Sequence, residues 1–247
     1  MNCITFSNSS EISGALRHSM RENSNYKNRD IDSRRTKENY QVGEHRANPF
    51  EHYKERLNEV YCYNRSDVKT LCCWTVTAPR DTPPEQEKKF FNAAYDFLTE
   101  KFCSGNTDNV CLAIIHRDEK RIDGRPRAHM HYYFLPIAPD PKHKQGEKIC
   151  KKEVMPRSTF KTIHPDFQKY LQQRGIAGTV NSGITGRQVR NYSVEEIKSG
   201  VRDRVEAQHR EQQAENFFSQ SEEQQRDQDQ TSWFDQDQEQ EVTTYER

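Results

Sequence analysis

The sequence lacks the features that mark a membrane protein or a disulfide-rich secreted protein. No apolar run approaches the roughly 18 residues that a membrane span needs, and no basic region followed by an apolar stretch opens the chain. The seven cysteines are an odd number and include no CxxC pair, which argues against both a disulfide framework and a structural zinc knuckle. We therefore expect reduced cysteines, no stable membrane insertion and a cytoplasmic location.

Hydrophobic residues are also scarce, and the charge is unevenly distributed. Only 32% of the 247 residues are hydrophobic, so the packed part must be smaller than the chain. Residues 202–247 carry thirteen acidic and five basic side chains, whereas residues 1–201 carry 33 basic and 25 acidic ones. We expect a basic domain over residues 1–200, suited to a polyanionic partner. Residues 201–247 should form a helical extension that passes into a disordered, acidic, Gln-rich tail.

Hydrophobic periodicity predicts an α+β domain. Strands are predicted where β-branched and aromatic residues cluster, at 3–6, 70–77, 110–116 and 129–137. Helices are predicted where apolar residues recur every three or four positions, at 11–22, 48–62, 83–103, 164–174 and from 193 onward. Residues 23–46 are polar without a sustained period and are predicted to form a long loop. Helices should therefore pack on an antiparallel or mixed sheet.

Three histidines lie at the facing ends of two predicted strands. His116 ends one strand, and His129 and His131 begin the next, after a turn that contains Gly124 and Pro126. Because side chains alternate across a strand, His129 and His131 project from one face, about 7 Å apart at the backbone. The turn folds the second strand beside the first, so the three imidazoles can converge on one metal ion.

An acidic pair after the first histidine strengthens this interpretation. An HxH pattern alone occurs often by chance, but a third histidine on the partner strand, followed by Asp118 and Glu119, favours a metal site. The acids can orient imidazole N–H groups or complete the coordination shell. An open site of this kind can bind phosphate oxygens and stabilise a leaving alkoxide. Nitrogen ligands favour the later divalent ions, but availability often decides, so we expect Mn²⁺ or Mg²⁺ as the cofactor.

These motifs resemble a known family. HRDE at 116–119 followed by HMHYYFLP at 129–136 looks like the histidine motif of the MobV, or Pre/Mob, relaxases of mobilisable plasmids, members of the HUH endonuclease superfamily. ALRHSMREN at 15–23, followed by NRDIDSRRTKENYQV at 28–42, is similar to the N-terminal motif of that family. GITGRQVRNYSVEEIK at 183–198 is a weaker match. The resemblance covers about residues 1–200 in consistent order.

The resemblance implies a fold and an activity. The fold would be a five-stranded antiparallel sheet flanked by helices, with the HxH strand at its centre. The activity would be site-specific and strand-specific nicking at a plasmid origin of transfer, through a covalent 5′-phosphoryl enzyme intermediate and a later joining step. The implied partners are an origin hairpin with its single-stranded DNA and the conjugation coupling machinery, in a bacterial cytoplasm.

The resemblance also implies roles for single residues. His18 would be the nucleophile, with Arg21 positioning the nucleophile or the phosphate. Glu119, from its position in the acidic pair after His116, is a further candidate catalytic residue. Asn39 and Tyr40 would shape the site and contact DNA. One departure is the insertion KRIDGRPRA between the acidic pair and HxH, with Ala128 in place of the usual proline.

Basic residues near these motifs are candidates for DNA contacts. The polar loop offers cations for phosphates and tyrosines for base stacking, and the insertion adds arginines beside the site. The DNA-binding candidates are Arg29, Arg34, Arg35, Asn39, Tyr40, Arg125 and Arg127.

Two other functions fit part of the pattern. A rolling-circle replication initiator of the same superfamily would use the same metal site but normally a tyrosine nucleophile, and Tyr170 and Tyr192 are isolated. A non-catalytic DNA-binding protein would have merely structural histidines and would need no metal.

Overall fold

A computed structural model describes residues 1–23, 28, 30–119, 128–180, 199–200, 203–205, 207–208 and 210–213. The chain divides into two compact units, residues 1–183 and residues 184–247. In the second unit, the described residues at 203–205, 207–208 and 210–213 are helical. Residues 193–198, where the last predicted helix should begin, lie outside the described residues.

The first unit is built on a five-stranded antiparallel sheet. Its strands are β1 (Asn2–Phe6), β2 (Tyr40–Gln41), β3 (Leu71–Thr77), β4 (Val110–His116) and β5 (His129–Phe134). They lie in the order β1-β3-β5-β4-β2, and every neighbouring pair is antiparallel. The predicted sheet, with the HxH strand at its centre, is confirmed.

Helices and a small second sheet complete this unit. The helices are α1 (Ser9–Ser19), α2 (Pro49–Glu59), α3 (Glu87–Cys103), α4 (Lys151–Val154) and α5 (Thr159–Gln173). Strands β6 (Ile137–Pro139) and β7 (Glu147–Ile149) pair with each other. The unit is therefore α+β, as predicted.

Each face of the sheet has its own hydrophobic core. One core joins α3 and α5 to alternate residues of β5, namely Met130, Tyr132 and Phe134. The other joins α1 and α2 to the opposite face, which carries Tyr133. Because β5 alternates across the sheet, its two histidines lie on the Tyr133 face, toward α1 and α2. That alternation places the histidines beside the end of α1.

Several element boundaries differ from the predictions. The strand predicted over 129–137 is interrupted, because Pro136 has no backbone N–H to donate to a ladder, and the chain then pairs with β7 instead. The helix predicted at 164–174 begins earlier, at Thr159. The helix predicted at 11–22 spans Ser9–Ser19, and Asn8 caps it by accepting a hydrogen bond from the Ser10 amide.

The region predicted as a long loop contains two short elements. A 3₁₀ turn spans Ser33–Glu38, with Asp32 as its capping residue, and β2 follows it directly. Strand β2 has only two residues, and Tyr40 pairs with Ile115 of β4. Two residues give no detectable period, so the sequence pattern could not reveal this strand.

The seven cysteines are all unpaired, and four of them are buried. Within the described part of the chain, no helix is both long and apolar enough to cross a membrane.

Candidate active site

Three imidazoles meet at one end of the two central strands. Antiparallel register places His116 of β4 opposite His129 of β5, and Ile114 opposite His131. The ring centroids of the three histidines are 4.9 to 5.2 Å apart. One potential ligand atom from each ring lies within 4.8 Å of the others. The cluster predicted from the sequence is therefore assembled by the sheet.

Neighbouring polar atoms fix the orientation of two of these rings. The Nε2 of His116 lies 2.8 Å from the carbonyl oxygen of Ser19, so Nε2 carries the proton and Nδ1 keeps the lone pair. The Nδ1 of His131 lies 3.5 Å from the Thr75 hydroxyl. Burial lowers the pKa of His116 to about 3 and that of His131 well below its usual value. Both rings are therefore neutral at pH 7, as metal ligation requires.

Arg21 connects the histidine cluster to the acidic pair. It lies just beyond α1, has a left-handed φ of 60°, and exposes only 2% of its side chain. Its Nε and Nη2 lie 2.8 Å from the two carboxylate oxygens of Asp118, and Nη2 lies 2.9 Å from Glu119 Oε1. The same Nη2 is 3.1 Å from Nδ1 of His116. One buried guanidinium therefore contacts two carboxylates and one of the clustered histidines.

His18 lies on the other side of that guanidinium. It belongs to the last turn of α1 and is half-buried. Its Nε2 is 3.4 Å from Nη1 of Arg21, an arrangement in which Nε2 is the acceptor. Burial and then the charge of Arg21 lower the pKa of His18 below its usual value. The imidazole is therefore predominantly neutral at pH 7, with a lone pair on the nitrogen that faces Arg21.

Asp118 is the buried anchor of this network. Besides Arg21, it accepts hydrogen bonds from Thr36 Oγ1 at 3.1 Å and Asn39 Nδ2 at 2.8 Å. Burial opposes its ionisation, but hydrogen bonds from Arg21 and Asn39 hold the pKa of the Asp118 carboxyl well below its usual range. Asp118 therefore remains charged and fixes the guanidinium in place.

Glu119 lies between Arg21 and the histidines. Its carboxylate oxygens are 3.9 Å from Nδ1 of His116 and 3.8 Å from Nε2 of His129. These distances are too long for hydrogen bonds to the imidazoles. Glu119 therefore interacts directly with Arg21, at 2.9 Å, and only indirectly with the histidines.

The predicted DNA-contacting residues fall into three groups. Arg34 has 86% of its side chain exposed and pairs with Asp32, and Arg35 pairs with Glu38 at 2.7 Å. Asn39 faces inward, and its side-chain oxygen accepts from the Arg117 amide at 2.8 Å. Arg29, Arg125 and Arg127 lie outside the described residues.

The Tyr40 hydroxyl is enclosed within the protein. This oxygen is buried and has no hydrogen-bond partner among the described residues, and the Lys88 ammonium lies 5.9 Å from the ring centroid. Burial raises the pKa of Tyr40 to about 12. This phenol is accordingly a poor nucleophile in this arrangement.

Sequence reasoning missed several residues that hold the site together. Ser19 supplies the carbonyl group that orients His116, and its hydroxyl contacts the Tyr133 hydroxyl at 2.9 Å. Thr36 and Thr75 contact Asp118 and His131. These partners are far apart in the chain, and serine or threonine at such positions has no distinctive spacing. The position of Ser19 next to the candidate nucleophile was the only local hint.

Comparison with curated proteins identifies relatives of this chain. "Plasmid recombination enzyme type 3" of Staphylococcus aureus is 30% identical over 192 residues, which cover 74% of this chain and 42% of the relative. A type 1 enzyme of the same species is 28% identical over 68% of this chain and 40% of the relative. "Plasmid recombination enzyme" of Lactiplantibacillus plantarum is 25% identical over 81% of this chain and 54% of the relative. The chain thus spans less than half the length of the first two relatives.

Solved structures and a family model agree with these relatives. The fold is similar to a MobM relaxase domain bound to oriT DNA of plasmid pMV158 in a Mn-bound crystal structure, with a TM-score of 0.63 and 22% identity over 81% of this chain and 97% of that one. The family model described as plasmid recombination enzyme, Mob_Pre, matches residues 4–199. The chain therefore belongs to the Mob_Pre family of plasmid recombination enzymes, the Pre/Mob or MobV group that its motifs resemble.

Proposed function

We propose that this chain is a metal-dependent DNA relaxase that nicks one strand at a plasmid origin of transfer and later rejoins it. The observation that carries the proposal is the shared guanidinium of Arg21, which contacts a neutral His18 on one side and the three-histidine cluster on the other. The contacts support the proposal because a nucleophile at His18 and a cation at the histidine cluster would lie next to each other, as phosphoryl transfer needs. The solved structures of similar fold, Mn-bound and in complex with oriT DNA, support the same function.

The donor set fits a divalent ion. Three imidazoles offer converging nitrogens, and burial keeps two of the rings neutral. Ser19 and Thr75 contact two of the rings and orient them. His116, His129 and His131 would hold Mn²⁺ or Mg²⁺. A bound ion there polarises a phosphate and stabilises the charge that develops on the leaving oxygen.

His18 is the proposed nucleophile. The contact of Nε2 with Arg21 Nη1 is long, at 3.4 Å, and is given up as the Nε2 lone pair forms a bond to the scissile phosphorus. The bond from phosphorus to the 3′ oxygen breaks at the same time. The imidazole gives up its Nδ1 proton and the 3′ oxygen gains a proton, so the products are a free 3′-hydroxyl and a 5′-phosphoryl-histidine. Attack by a 3′-hydroxyl in the reverse direction joins the strand.

Arg21 and Glu119 act on the nucleophile by position and charge. Arg21 holds the His18 ring and favours its neutral form, and Asp118 and Glu119 hold Arg21. We assign Glu119 a role through Arg21, because the two side chains form a direct ion pair at 2.9 Å.

Basic residues around the site are the proposed DNA contacts. Arg34 is exposed, and Arg35 is partly exposed, on the 3₁₀ turn that precedes Asn39, so both can reach a phosphate backbone. Asn39 acts indirectly in this proposal, by holding Asp118. Residues 1–200 would make up the nicking domain, with the acidic tail outside it.

A plasmid-nicking assay tests this function. Supercoiled plasmid that carries the region upstream of the gene should be converted to open circles with Mn²⁺ but not with EDTA. His18→Ala should lose this activity, whereas Arg17→Ala, an exposed change on the same helix, should retain it. If folded protein leaves the plasmid supercoiled in every metal condition, the proposed nicking activity is wrong.

A further inference from the structure

Arg21 contacts the nitrogen of His116 that a metal ion would need. The Nε2 atom of His116 is engaged by the Ser19 carbonyl oxygen at 2.8 Å, so only Nδ1 has a lone pair. That same Nδ1 is 3.1 Å from Nη2 of Arg21. A single lone pair cannot be donated at full strength to an N–H group and a metal ion together.

The charge of Arg21 also acts against a bound cation. Its guanidinium is almost completely buried, so solvent screens it weakly from a divalent ion held by the adjacent imidazoles. It also neutralises Asp118 and Glu119, two carboxylates that would otherwise attract a cation. His116, Asp118 and Glu119 themselves form a second group of possible ligand atoms within 4.8 Å of one another.

The backbone keeps Arg21 in this position. Its φ of 60° is unusual for a residue other than glycine, and its amide donates to the His18 carbonyl oxygen at 3.1 Å. The left-handed residue turns the chain at the end of α1, and the bidentate contact with Asp118 fixes the side chain. The guanidinium is therefore held beside His116 rather than sampling the solvent.

We propose that Arg21 is an internal competitor of the metal: it occupies His116 Nδ1, and a divalent ion must displace it to bind. This inference rests on the proposed metal site. It assigns Arg21 a second role, in setting metal affinity, beside its contact with His18. The competition lowers the affinity of the site for the divalent ion, so that the ion can exchange. It also couples metal binding to the position of Arg21, which lies next to His18.

Mn²⁺ titration calorimetry on the full chain without DNA is the test. Arg21→Ala should bind Mn²⁺ about tenfold tighter or more than the unchanged protein, since a buried like charge and a competing donor are removed together. Arg21→Lys should give a smaller gain, because the ammonium keeps a buried positive charge beside the metal site. Arg17→Ala should bind with unchanged affinity. In a His116→Ala background, Arg21→Ala should give a clearly smaller gain, because no His116 Nδ1 is left to release.

A second measurement needs no substitution and covers the case in which Arg21→Ala does not fold. Titration of ¹⁵N-labelled wild-type protein with Zn²⁺ should shift the Arg21 guanidinium resonances in parallel with the resonances of the three histidines. Unchanged or weaker Mn²⁺ affinity in a folded Arg21 variant, or an Arg21 signal that is insensitive to metal, would overturn the inference alone. Absence of metal binding in every form would overturn the metal site as well.

Discussion

His116 shows how much of the site depends on interactions that are remote in sequence. Its spacing from HxH predicts a ligand, and the antiparallel register places it with the other two rings. Its tautomer, however, is set by the Ser19 carbonyl, 97 positions away in the chain. The sequence pattern predicts that the three histidines lie together. It does not predict which nitrogen of His116 keeps a lone pair for a metal ion.

Loss of the His131 imidazole should weaken metal binding. Removing one of three converging ligands should weaken Mn²⁺ binding by about an order of magnitude or more, because chelation by the remaining two is incomplete. Calorimetry on His131→Ala measures this, with circular dichroism as the check on folding. His52→Ala is the matched control, because this partly exposed histidine lies on α2 and contacts the Asp108 carbonyl oxygen rather than the histidine cluster. Equal affinities for His131→Ala and wild type would remove His131 from the site.

Strand β2 is an element that the sequence pattern did not predict. The longer strands and helices were predictable from their apolar periods, but β2 exists because β4 offers it an edge to pair with. This pairing also places Asn39, immediately before the strand, against Asp118. A two-residue element therefore positions part of the site.

Gly43, just after β2, should be sensitive to substitution by alanine. It has a φ of +74°, and an added Cβ would lie 2.2 Å from Cζ of Tyr95 on α3. Gly43→Ala should lower the free energy of unfolding by about 2–4 kcal/mol, from overpacking and left-handed strain together. Urea denaturation measures the loss.

Gly105→Ala separates the two causes. Gly105 has a similar φ of +80°, but an added Cβ there meets nothing within 4 Å. It should therefore show only the smaller conformational cost. Equal losses at Gly43 and Gly105 would mean that the contact with Tyr95 has no effect on stability.

The whole molecule combines a basic body with an acidic C-terminal segment. The family match ends at residue 199, close to where the charge changes sign. Residues 202–247, with eight more acidic than basic side chains, should repel DNA rather than bind it. The charge pattern is predictable from the sequence. The proximity of His18, Arg21 and the three histidines depends on the folded sheet.

This charge pattern predicts that the tail is dispensable for chemistry. A chain ending at Gly200 should cleave an origin oligonucleotide at the full-length rate and bind it at least as tightly at low salt. Single-turnover cleavage and salt-dependent binding measure both properties. A folded but inactive chain of this length would place the domain boundary further toward the C-terminus.

The identity of the covalent adduct decides whether His18 or a tyrosine is the nucleophile. Labelled origin DNA is trapped on the protein, the adduct is challenged with acid, and His18→Ala is compared with Tyr40→Phe and Tyr26→Phe. A phosphoramidate on histidine is acid-labile, whereas a phosphotyrosine survives acid. We predict an acid-labile adduct that is lost in His18→Ala and retained in both tyrosine variants. An acid-stable adduct, still formed by His18→Ala and lost in one tyrosine variant, would contradict the account.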